Sequence, residues 1–112
     1  MTAATYVTPP TGADVATFLG GGDDATLVAL AGEHVVIITA LARSYCRGEG
    51  FDSTGQCADD IAAVITAATA RLVANPEQLA GQIGGTGYQG GFAGWSLAET
   101  FVLNRYRKRV TG

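Results

Sequence analysis

The chain predicts a mostly α fold, a small helical bundle of roughly four helices with a glycine-rich loop or weak β-hairpin ahead of the last helix. Three observations carry that expectation. Two long alanine-, valine- and isoleucine-rich stretches, 25–45 and 58–74, contain no proline. Helix-capping residues stand just before the apolar runs, at Thr11, at Asp23 or Asp24, and at Ser96. Glycine clusters at Gly20-Gly21-Gly22, Gly48 to Gly55 and Gly84 to Gly94 separate these segments. With 112 residues there is room for one domain and one modest core, so 1–112 is read as a single unit.

Residues 1–12 read as an extended arm, because Pro9 and Pro10 fix their own backbone and bias the residue before each away from helix. This segment has neither a basic stretch nor an apolar run, so it does not read as a secretory signal. Thr11, with Asp14 three positions on, caps a short helix from Ala13 to Leu19 whose buried face would be Val15, Phe18 and Leu19. The second helix, from Ala25 to about Cys46, is apolar nearly all round: Leu27, Val28, Leu30, Val35, Val36, Ile37, Ile38 and Leu41. Such a helix is central in a bundle, buried in an assembly, or in a membrane. Glu33 and His34 lie at its centre, and an ionised acid at mid-bilayer costs on the order of 2.5 to 3.5 kcal/mol. No membrane partner is therefore expected.

Gly48, Gly50 and Gly55, with Asp52 and Ser53, form a loop. A third helix follows from about Ala58 to Ala74, with Ile61, Ile65, Ala68 and Leu72 on the stripe that packs against helix two. Asn75-Pro76 ends it and offers a cap and a first helical position for one more turn, closed by Gly81. Six of the eleven residues from Gly84 are glycine, so 82–95 is a loop or weak hairpin. Ser96-Leu97-Ala98-Glu99 has the capping-box form and opens a fourth helix to about Arg109, within a C-terminal segment 96–112.

No set of residues in the sequence completes the pattern of a reactive or ligand-binding site. Gly85-Thr86-Gly87-Tyr88-Gln89-Gly90 matches a dinucleotide fingerprint, but no strand precedes it, no helix starts at its end, and too little chain follows for a βαβ unit. His34 is the only histidine and has no nucleophile or metal constellation to serve. Cys46 and Cys57 lack the spacing of a zinc or redox site, and buried or half-buried free thiols are favoured over a disulfide. Asp23-Asp24 and Asp59-Asp60 sit at helix starts, where capping and the helix dipole account for them. No enzyme, cofactor or metal is expected.

Charge is sorted along the chain. Residues 1–104 hold all ten acids against Arg43, Arg47 and Arg71, whereas the last eight hold Arg105, Arg107, Lys108 and Arg109 and no acid. Charged residues make up only 15% of the chain and apolar ones 47%, less polar cover than a lone monomer usually carries. Much of the apolar surface should therefore be buried between subunits. The basic cluster could grip phosphate or protein carboxylates; four bases on an acidic chain favour a protein.

The two alanine-rich helices, Asn75-Pro76-Glu77, the loop ending Gly91-Phe92-Ala93-Gly94-Trp95, then Ser96-Leu97-Ala98-Glu99 and Leu103-Asn104-Arg105-Tyr106-Arg107-Lys108-Arg109 together resemble the head-to-tail connector, or adaptor, proteins of tailed bacteriophages. The likeness spans 11–112, and its specific part is 75–109. It implies a structural virion protein, assembled in the host cytoplasm, forming a homo-oligomeric ring of about twelve copies at the neck of the portal vertex. The ring would join the capsid portal to the next head-completion or tail component and let double-stranded DNA pass. By that resemblance Leu97, Phe101, Leu103, Arg105, Tyr106, Arg107, Lys108 and Arg109 are the portal-binding candidates. Gly87, Tyr88, Phe92 and Trp95 are the candidates for the ring or next-component interface. The alternative is a small nucleic-acid-binding accessory protein of DNA packaging that uses the same basic cluster.

Overall fold

A computed structural model describes residues 5–74 and 94–107. In order these form β1 (Tyr6–Val7), α1 (Gly12–Phe18), α2 (Ala25–Tyr45), β2 (Cys57–Ala58), α3 (Asp59–Ala74) and α4 (Leu97–Asn104). The described residues are mostly helical, as the sequence predicts.

Helix starts follow the capping chemistry. Thr11 and Asp14 exchange both bonds of a capping box, with the Thr11 amide donating to Asp14 Oδ2 at 2.8 Å. At α2 it is Asp24 that caps, its Oδ1 accepting from the amides of Thr26 and Leu27 at 3.0 and 3.1 Å. Cys46 closes the far end of α2, and the chain leaves through Arg47, a non-glycine residue at φ 57°, into the glycine-punctuated loop.

The core lies where α2, α3 and α4 meet. Ile38 from α2, Ile61 and Ile65 from α3, and Leu103 from α4 are fully buried. Each such side chain contributes roughly 1.5 to 3 kcal/mol relative to exposure. All four residues of the predicted α3 stripe are buried. Cys46 and Cys57 are both buried and unpaired.

α1 crosses α2 with almost no gap. A methyl built on Gly12 would meet the Val28 carbonyl oxygen and would stand 2.6 Å from the Gly32 amide nitrogen. The missing side chain at Gly12 lets the two backbones approach to a distance that a methyl at that position would forbid.

The structure corrects the expected buried face of α1 and adds detail to two other expectations. Phe18 and Leu19 are exposed, at 64% and 36%. α1 leans on α2 through Gly12, Val15 and Ala16, which leaves Phe18 beyond the edge of the contact and Leu19 in the cap. The apolar surround of α2 is divided: Ala31, Val35, Ile38 and Ala42 face inward, while Leu30, Val36, Ile37 and Leu41 face out. The N-terminal arm is also more than extended chain. Its β1 pairs antiparallel with β2, Tyr6 opposite Ala58 and Val7 opposite Cys57, and the Asp59 amide donates to the Thr5 carbonyl at 2.8 Å.

Candidate docking surface

α4 is the element that the basic C-terminal segment depends on, and it is held to the body on its inner side. Ser96 and Glu99 form the predicted capping box, with the Ser96 amide donating to Glu99 Oε1 at 2.8 Å and the Glu99 amide donating to Ser96 Oγ at 3.2 Å. The same carboxylate takes a two-pronged bond from Arg71 in the last turn of α3, at 2.7 and 3.1 Å. Arg71 also donates to the Gly94 carbonyl at 3.1 Å, so one guanidinium joins α3, the approach to α4 and the start of α4. Planar forks of this kind are the stronger class of ion pair.

Glu99 is only 6% exposed. Burial pushes its carboxyl up, but the Arg71 guanidinium and the Ser96 bonds outweigh that and hold it below the ordinary 4.5. Because the folded value lies below the unfolded one, its stabilising contribution is complete above about pH 4.5 and is lost as pH falls through the folded value. The urea midpoint of the native chain should therefore fall on acidification below that point. A Glu99→Gln variant, compared at each pH, should show a shallower fall; parallel curves would remove Glu99 from the account.

Below α4 the chain turns away from the helix axis. Rather than running on to near Arg109, the helix ends at Asn104, where the amides of Arg105 and Tyr106 bond three residues back, to the Val102 and Leu103 carbonyls, the tightened pattern of a helix end. Tyr106 is drawn inward, its hydroxyl donating to Asp60 Oδ1 at 2.7 Å, and burial with that carboxylate pushes its phenol up to about 12. Arg105 adds an ion pair to the same Asp60 at 3.6 Å. Arg107 lies over the Tyr45 ring at 4.6 Å, and the Tyr45 hydroxyl donates to Asn104 Oδ1 at 2.6 Å. A Tyr106→Phe change should cost about 1 kcal/mol in urea denaturation, the usual worth of one net hydrogen bond. Unchanged stability would show that water serves Asp60 equally well.

The outer side of α4 is unlike the inner one. Leu97 and Phe101 are exposed at 74% and 66%, one turn apart on the same face. Of the other portal-binding candidates, Arg105 and Arg107 are exposed and Tyr106 is half-buried, all three tied to the body as described. Leu103 departs from the expectation: it is fully buried and anchors α4, so it presents nothing to a partner. Lys108 and Arg109, and Gly87, Tyr88 and Phe92 of the proposed ring interface, lie outside the described residues. Trp95 is half-buried, with one part packed on the core. The turn begun at Asn75-Pro76 and most of the glycine-rich loop also lie outside the described residues.

Arg71, Asp60 and Tyr45 are the positioning residues that sequence reasoning missed. Arg71 had one available signal, since a lone base in the last turn of an apolar helix invites a carboxylate. Asp60 and Tyr45 had none, because their partners are 46 and 59 positions away.

No group of three metal-binding side chains occurs among the described residues. Burial pushes both thiols up, that of Cys46 to about 11, which leaves them protonated and poor nucleophiles near neutral pH. Compared with protein-family models, curated proteins and solved structures, the chain matches none.

Proposed function

We propose that this chain is a structural head-to-tail connector of a tailed bacteriophage virion, forming a ring that joins the portal to the tail and lets double-stranded DNA pass. The observation that carries the reading is the two-sided α4. It is fixed to the body through Leu103 and the Arg71–Glu99 pair, and it offers Leu97 and Phe101 outward just ahead of a run of bases. An apolar pair on an anchored helix, with bases following it in the chain, suits a groove on another protein. The sequence resemblance over 75–109 supplies the kind of partner, and Leu97, Phe101, Arg105, Tyr106 and Arg107, continuing into Lys108 and Arg109, are the proposed portal contacts. Trp95, with Gly87, Tyr88 and Phe92, remains the proposed contact to the ring neighbour or the next component. The acid-rich body suits a conduit, since a basic inner wall would hold DNA phosphates and retard passage.

Removing residues 96–112 would be a poor test, because Leu103 and Glu99 would leave with them. A paired Leu97→Ser and Phe101→Ser variant keeps the anchor. It should retain the native urea midpoint and lose attachment to purified portal rings encoded with it by at least about tenfold. Full attachment by the folded variant would overturn the docking role. Salt-sensitive retention of duplex DNA, abolished by reversing Arg105 and Arg107, would instead favour the nucleic-acid-binding alternative.

A further inference from the structure

α2 exposes a seam with its own logic. Ala29, Glu33, Val36, Ala40 and Arg43 recur at intervals of four and three, the spacing that keeps one narrow line of a helix facing a neighbouring helix. All five are exposed. Val36 is exposed at 67%, and Ile37 and Leu30, at 55% and 41%, border the seam on one side. On the other side a groove lined by Pro9, Pro10, Val36, Thr39 and Arg43 runs between the arm and the helix.

Among the exposed residues of α2 only Glu33 and Arg43 are charged, one acid near the middle of the helix and one base in its last turn, where it also lies over the Phe51 ring at 5.0 Å. We infer that this face is covered by a second copy of the chain, packed antiparallel through α2. In an antiparallel pair related by a twofold axis, contacts are reciprocal. The register that sets Glu33 of each copy opposite Arg43 of the other also sets Val36 opposite Ala40. It places the projecting Val36 of one copy beside the groove of its neighbour. The small Ala40 lets the two helices come close beside Val36, and each Glu33 meets an Arg43 of the other copy.

A lipid bilayer is the competing cover. α2 has 21 residues and a mean hydropathy of 1.9, long and apolar enough to cross a membrane by length and composition, and only 22% of the most apolar stretch is buried. A bilayer would, however, leave the outward Glu33 unpaired in hydrocarbon, whereas a second copy supplies its counter-ion. This pairing concerns the free chain and uses a face separate from α4, so it does not rest on the portal reading.

Sedimentation equilibrium of the full chain should give twice the 11.4 kDa chain mass. Glu33→Arg alone, or Arg43→Glu alone, should weaken association by about tenfold or more, since each reversal turns two attractions into two repulsions. The double reversal should restore it, and all three variants should keep the native helical signal. A chain mass of one copy throughout, a mass indifferent to the single reversals, or a double reversal that stays apart would overturn the pairing. Co-sedimentation of the unaltered chain with phosphatidylcholine–phosphatidylglycerol vesicles would overturn it in favour of the bilayer.

Discussion

Gly12→Ala is expected to destabilise the fold by about 3 kcal/mol, a large effect for one methyl group. The added carbon would fall on the Val28 carbonyl oxygen and within 2.6 and 2.7 Å of the Gly32 amide nitrogen and Cα. These are backbone atoms in the middle of a 21-residue helix and cannot turn aside as the tip of a side chain can. α1 would have to lift from α2, loosening Val15 and Ala16, both fully buried. The gain in intrinsic helix propensity, at most about 1 kcal/mol and smaller at the first helical position, does not offset this. A urea titration followed by far-UV circular dichroism checks it. Gly32→Ala is the control, since its methyl would meet only the Gly12 Cα at 3.9 Å and should be tolerated. Equal effects of the two changes would mean that close approach is not what Gly12 serves.

Arg71→Met should cost about 2 to 4 kcal/mol, by leaving the carboxylate of Glu99 buried without its cation. Arg71 itself is 35% exposed, which holds the figure below that of a fully enclosed pair. The loss reflects the stranded partner more than the worth of the pair. Adding Glu99→Gln to the Arg71→Met chain should therefore recover a good part of the stability, because the amide oxygen still accepts from the Ser96 amide. The acid response should change as well. Without Arg71 the burial of Glu99 pushes its carboxyl up, so the variant should gain stability relative to the native chain as pH falls. Urea midpoints across the acid range for the single and double variants decide the matter, and additive losses would dissolve the coupling.

Legibility in the sequence followed the range of the interaction. Thr11 with Asp14, Asp24 with Thr26 and Leu27, and Ser96 with Glu99 are local, and each cap lies where the residues put it. The α3 stripe was legible for the same reason, since its spacing alone selects one face. α2 was harder. Its apolar residues surround the helix, so periodicity cannot tell Ile38, fully buried, from Ile37, exposed at 55%. The choice is made by where α1 and α3 lie, which is tertiary information. The candidate site divides likewise. Leu97 and Phe101 were picked out together with Leu103, and only the packing of α4 on α3 sends Leu103 inward. The inward turn of Tyr106 was illegible because Asp60, which receives its hydroxyl, lies 46 positions away in the chain.

The two-residue ladder between β1 and β2 bears on the order of folding. Val7 and Cys57 are fifty positions apart, so pairing them closes a long loop for a small return in backbone bonds. The contact becomes affordable once α2 and α3 have already brought residue 57 beside the core. The arm should therefore dock late in folding and open locally before the helical body does. Hydrogen exchange at the Val7 amide should then proceed through local opening, well ahead of amides in the middle of α3. A protein whose N-terminal arm detaches without loss of the helical body has a ready means of exchanging what that arm covers.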